Sequence, residues 1–127
     1  MSDEQKQPNA AEIAAAQAQL KAIFDDGVAT INDRDYKFGL ASHRQRVTVF
    51  SFFSKIKGQL QNEDFSFLDS KEWSHVEKTI GDIVMFDEMQ LSKSPLHWEK
   101  YPEDYLPFVA VSLGVISYPF MRGKNTA

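Results

Sequence analysis

The apolar positions of residues 42–60, SHRQRVTVFSFFSKIKGQL, repeat at helical spacing along two rows rather than one. Val47, Phe50 and Phe53 fall on the first row; Val49, Phe52, Phe53, Ile56 and Leu60 fall on the second. Together they make a face wider than a helix resting on one neighbour needs. Ser42 can accept a bond from the first turn, and Gln45 three residues on can answer the Ser42 backbone, a reciprocal capping pattern. The polar remainder, Arg44, Arg46, Ser51, Lys55 and Lys57, is basic. This pattern predicts a helix packed on two neighbours, or on one neighbour and a partner protein.

The other elements follow around it. Residues 10–25, AAEIAAAQAQLKAIFD, combine high helix propensity with a thin stripe of Ile13, Ala16, Leu20, Ile23 and Phe24. So small an apolar area leaves two placements open: docked on its own domain, or a semi-detached arm that meets a partner or another copy. Gly27 ends that helix. VATI, NDRD and YKFGLA then read as two short strands around a polar turn at Asn32 and Asp33. In residues 61–68, Phe65, Phe67 and Leu68 are expected to tuck under as anchors, with an exposed binding knob as the alternative. Asp69 with Glu72 looks like a second capped start. It opens a helix running through residue 86, with Trp73, Val76, Ile80, Ile83 and Val84 on its apolar stripe. Residues 87–100 read as a long connection pinned by Leu91, Leu96 and Trp98.

In YPEDYLP, Pro102 suits a first helical position, while Glu103 and Asp104 suit the positive end of a helix dipole. Pro107 forces the helix to restart near Asp104 or Tyr105. FVAVSLGVISY is then apolar on nearly every side, so it is either the buried centre of the domain or covered by another chain. Gly114 suggests the close approach of a neighbouring backbone, and Pro119 should stop the helix. The predicted class is mainly α (α+β): a small helical domain of about four helices with a short β-hairpin near residues 28–39. Residues 1–9 are expected to be a disordered tail, 10–122 a single helical domain, and 123–127 a flexible tail.

Composition narrows the function without naming it. The 127 residues are 43% hydrophobic and include ten phenylalanines, enough for a packed core. A net charge of −4 argues against a general nucleic-acid binder, which needs a basic stripe. Without cysteine there is no disulfide, thiolate chemistry or Cys-ligated zinc. The polar start MSDEQKQPNA is not a secretory signal. The longest apolar run, 106–120, is shorter than the roughly 20 residues that span a bilayer. A soluble cytoplasmic protein is expected. His43, His75 and His97 are scattered; His75 lies near Glu72 and Glu77, but a surface histidine among charges is the plainer reading. The pairs Glu63–Asp64, Asp87–Glu88 and Glu103–Asp104 sit at loops or helix starts, where solvation and capping account for them. There is no glycine-rich phosphate loop and no Gly-x-Ser-x-Gly elbow. No catalytic residue, cofactor or metal ligand is predicted, and no nucleic acid, membrane or small-molecule partner.

Three segments, SHRQRVTVFSFFSKI, EDFSFLD and LSKSPLHWEKYPEDYLPFVAVSLGVISYPFMR, resemble the tail assembly chaperone family of tailed bacteriophages. The resemblance covers about residues 36–122 and omits the alanine-rich N-terminus. It implies a non-enzymatic protein, made in the host cell cytoplasm, that keeps the tape-measure protein soluble while the tail assembles. A small structural tail or baseplate subunit is the alternative. The resemblance assigns no residue roles, so candidate contact residues come from the pattern: Arg44, Arg46, Phe50, Phe52 and Phe53 on the wide helix, and Phe108, Val111, Val115 and Phe120 on the last. For each, plain core packing competes with partner contact. Homo-oligomer formation stays open.

Overall fold

A lone pair of short strands is marginal in water, and the hairpin near the front of this chain is not left alone. The computed structural model describes residues 10–122; the tails expected at 1–9 and 123–127 lie outside the described residues. Helix α1 (Ala10–Asp26) leads into strands β1 (Val28–Ile31) and β2 (Arg34–Phe38). Asn32 and Asp33 join them at φ 51° and 68°, the two-residue turn whose twist suits a hairpin. Helix α2 (His43–Gln61) carries the reciprocal Ser42–Gln45 cap. A 3-10 turn (Ser66–Asp69) and α3 (Lys71–Ile83) follow. The cap of α3 is Ser70, whose hydroxyl accepts from the Trp73 backbone at 3.0 Å, one residue later than the expected Asp69.

Past Ile83 the chain extends instead of staying helical. Strand β3 (Val84–Phe86) pairs with β2, a second tight turn at Asp87 and Glu88 reverses the chain, and β4 (Met89–Gln90) completes the sheet. The order is β1-β2-β3-β4, antiparallel throughout, with Phe38 opposite Val84. This corrects the expectation of one helix through residue 86 and a plain connection after it. The physical reason is the open edge of β2: unpaired strand groups favour a partner, and Val84 and Phe86 are residue types that fit a pleated surface.

A one-turn helix α4 (His97–Lys100) and a 3-10 turn (Pro102–Asp104) precede α5 (Tyr105–Arg122). Four long helices, one short one and the small sheet make an α+β domain. The last helix is its buried centre: Phe108, Val109, Ser112, Leu113 and the run Val115 to Tyr118 are all buried. It packs against α2 and α1 and touches β1. Val49, Phe52 and Ile56 of α2 join Trp73, Val76 and Ile80 of α3 in the same core. By length and composition Pro102–Met121, 20 residues, is apolar enough to cross a membrane, longer than the run counted in the sequence. In this fold 56% of its apolar window is buried inside the chain.

Two details of α5 depart from expectation. The close neighbour at Gly114 is a side chain, not a backbone: Leu20 Cδ2 of α1 lies 2.9 Å from where a Cβ would stand. Phe24 of α1 packs beside Tyr118, ring centroids 5.5 Å apart, so Leu20 and Phe24 dock α1 on α5. Pro119 does not stop the helix, which runs on to Arg122. A helical proline withdraws one N–H and crowds the preceding turn. In that turn the Ile116 carbonyl accepts a bond from Arg46 Nη1 at 2.6 Å.

Candidate functional site

The densest polar chemistry lies where the β1–β2 turn meets the start of α5. Asp104 closes the 3-10 turn before α5 and is completely buried. Its Oδ1 accepts from Asn32 Nδ2 at 2.7 Å and from Arg34 Nη2 at 3.0 Å. Its Oδ2 accepts from Arg34 Nε and from the Tyr36 hydroxyl, both at 2.7 Å. Arg34 and Tyr36 are two residues apart in β2 and so share one face of the strand. Arg34 also pairs with Glu103 and lies over the Tyr101 ring, 4.2 Å from its centroid. These contacts tie the hairpin turn to the head of the core helix.

The electrostatics follow from the geometry. The Arg34 guanidinium, with Asn32 and Tyr36 adding donors, holds the Asp104 carboxyl far below the usual carboxylate range despite burial. Burial, then the bond to Asp104, pushes the Tyr36 hydroxyl up. Tyr36 spends its single proton on Asp104, so its oxygen accepts from His97, whose Nε2 is 2.8 Å away. That fixes the His97 proton on Nε2. Burial lowers the His97 pKa and keeps the ring neutral. The rings of Trp98, Phe86 and Tyr101 enclose the imidazole, with centroids at 4.5, 4.6 and 5.1 Å.

With four donors on two oxygens, Asp104 is a fixed anion and a fastener rather than a group poised to take up a proton. This corrects the reading of Glu103 and Asp104 as a solvated helix-start pair: Asp104 is enclosed and committed to the hairpin. Sequence reasoning missed the whole cluster. Its faint signal was Arg34 and Tyr36 at strand spacing beside an asparagine turn; nothing in the sequence joined them to a residue 70 positions away.

The nominated contact residues divide. Phe52, Phe108 and Val115 are buried, which removes them from any surface a partner could reach in this conformation. Phe52 packs on Phe67 and Trp73, and Phe108 on Tyr36 and Trp98. Arg46 is half-buried and engaged within the chain, bonded to the Ile116 carbonyl and placed 5.7 Å over the Phe24 ring. Phe53 and Val111 are half-buried, Phe53 packing against the core. Arg44 is exposed. Phe50 and Phe120, both half-buried, meet edge to face at 5.1 Å, and His43 stands edge-on to Phe120 at 6.1 Å. The start of α2 and the end of α5 thus form one aromatic corner, with Arg44 following His43 in the chain. Leu40, just before α2, is wholly exposed.

The expected anchors of the connection after α2 do tuck under: Phe67 is buried, and Phe65 and Leu68 pack on the core. Leu91 and Trp98 likewise hold their segment, but Leu96 is 62% exposed and pins nothing. His75 is exposed, and among the described residues no three acidic or histidine side chains gather to hold a metal ion. No protein-family model, curated protein or solved structure matches this chain.

Proposed function

We propose that the chain is a tail assembly chaperone of a tailed bacteriophage. In this reading it is a non-enzymatic protein that binds apolar helical segments of the tape-measure protein in the host cytoplasm until the tail tube covers them. Two lines support the reading: the family resemblance over residues 36–122, and the aromatic corner at the start of α2. The observation that carries it is the pair Phe50–Phe120, which stays partly in water while Phe52 and Phe108 are buried in the core and the half-buried Phe53 packs against it. Such a corner suits an amphipathic helix, whose apolar residues at helical spacing can lie across it. The exposed Arg44, next to His43 in the chain, can meet an acidic residue on the same segment.

Co-expression with the tape-measure protein of the same phage tests this. The wild-type chain should keep the tape-measure protein in the soluble fraction and copurify with it. Phe50→Ser and Arg44→Glu should each lower copurification severalfold, Arg44→Glu with an unchanged urea midpoint because that side chain is exposed. No copurification, or none of these losses, would overturn the proposal. Finding the chain in purified virions at fixed stoichiometry would instead favour a structural tail or baseplate subunit.

A further inference from the structure

A second surface lies near the other end of α5. Between the β3–β4 turn and α4 runs a cleft of about 430 Å³, walled by Phe86, Met89, Leu96 and Tyr101, with His97 in its lining and Lys93 and Lys100 beside it. We infer that this cleft docks a partner polypeptide that inserts one large apolar side chain and sets a carboxylate against Lys93 and Lys100. The surface is separate from the aromatic corner: Phe108, against Trp98 next to the cleft, and Phe120 are twelve residues apart, roughly 18 Å along a helix.

Two observations decide the occupant. First, four large hydrophobic residues are exposed in the described chain, and two of them, Met89 (51%) and Leu96 (62%), line this one cleft. A small molecule seated inside would leave those two side chains in water; a polypeptide lying across the cleft covers them. Second, the charged side chains lining the cleft are Lys93, Lys100 and Asp87, two cations to one anion in a chain of net charge −4. Neither lysine has an ion-pair partner within 4 Å among the described residues, so both ammonium groups can receive a carboxylate. A polypeptide supplies an apolar side chain, a carboxylate and further chain to cover Met89 and Leu96 together, whereas a fatty acid anion supplies only the first two.

The Asp104–Tyr36–His97 chain adds rigidity. It holds the cleft lining in place before any partner arrives, which lowers the ordering cost of binding.

The test is an NMR titration of the full-length ¹⁵N-labelled chain. The probes are capped hexapeptides with a central leucine, phenylalanine or tryptophan flanked by glutamates, their lysine-flanked counterparts, and laurate, each to about 2 mM, a range that detects millimolar dissociation constants. At least one glutamate-flanked peptide should saturate shifts at Met89, Leu96, His97 and Tyr101 while the amides of Phe50 and Phe120 stay still. The Lys93→Glu/Lys100→Glu variant and the lysine-flanked peptide should each bind about tenfold more weakly, and Leu96→Asp should abolish the shifts. Both variants change exposed side chains, so their spectra will report an intact fold. The inference is overturned if no peptide saturates these shifts, if charge reversal leaves the affinity unchanged, or if laurate alone produces them. Because the readout is confined to this cleft, a failure here leaves the tape-measure reading to stand or fall by its own experiment.

Discussion

Replacing Asp104 with asparagine is the sharpest test of what holds the hairpin to the core. The substitution keeps the shape of the side chain and removes its charge. The carboxylate accepts four bonds at 2.7 to 3.0 Å with no exposure to water. Each bond to a charged group contributes about 1.5–3 kcal/mol net, but four bonds on one carboxylate do not add. A better guide is the cost of breaking a buried pair by deleting one partner, about 3–5 kcal/mol, although here Arg34 keeps its pair with Glu103 and is not fully stranded. An amide at this position also turns an NH2 toward donors, which offsets what Arg34 keeps through Glu103, so the middle of that range is expected. With a urea slope near 2 kcal/mol/M, a loss of about 4 kcal/mol lowers the midpoint by about 2 M. For a domain of ordinary stability that is a large share of the total. Equilibrium urea unfolding at pH 7, followed by Trp73 and Trp98 fluorescence, measures it. A midpoint shift below about 0.5 M would refute the reasoning, since Asp104 would then be no more than a cap.

Other perturbations address other contacts. The neutral, buried His97 refuses a proton that the unfolded chain accepts, so stability should fall as pH drops below about 6.5; His97→Gln should flatten that part of the urea-midpoint profile. Asp104 works in the same direction lower down: its depressed pKa stabilises the fold above about pH 4, and that contribution is lost as pH falls further, a loss Asp104→Asn should not show. Gly81→Ala should cost about 1–3 kcal/mol by thermal unfolding, despite alanine's better helix propensity, because the new Cβ meets the Ser92 backbone nitrogen at 2.9 Å. Gly114→Ala meets only the methyl ends of Leu20, so its effect should be local: faster amide exchange in α1, with α2 and α3 unchanged. Arg46→Met, which keeps the packing and removes the bond to the Ile116 carbonyl, should cost about 1–2 kcal/mol in urea unfolding; no change would mean that water replaces the guanidinium.

The parts of the fold that could be read from the chain are those specified by neighbouring residues. The Ser42–Gln45 cap, the Trp73, Val76 and Ile80 stripe and the Pro107 restart each lie within one or two helical turns. What stayed hidden depended on distant partners. Val84, Met85 and Phe86 continue the apolar run of α3, and only the waiting edge of β2 makes them a strand. The Asp87–Glu88 turn carries no asparagine or glycine to announce a hairpin, although both residues sit at positive φ. The Asp104 cluster was invisible for the same reason: a carboxylate four donors deep looks, in sequence, like any acid at a helix start.

The width of the α2 apolar face illustrates how such a pattern should be weighed. It predicted two neighbours, and α2 has them within its own chain: α5 and α3, with Phe67 of the 3-10 turn added against Phe52. Most of the excess apolar area therefore went into a core that converges on one central helix, which takes Phe52, Phe108 and Val115 out of the case for a partner. What remains is smaller and better located. Phe50 and Phe120 stay partly wet at one end of α5, and Met89 and Leu96 at the other, although the chain had apolar side chains enough to fill its interior without them. Binding experiments should therefore target these four residues rather than the face of α2 as a whole.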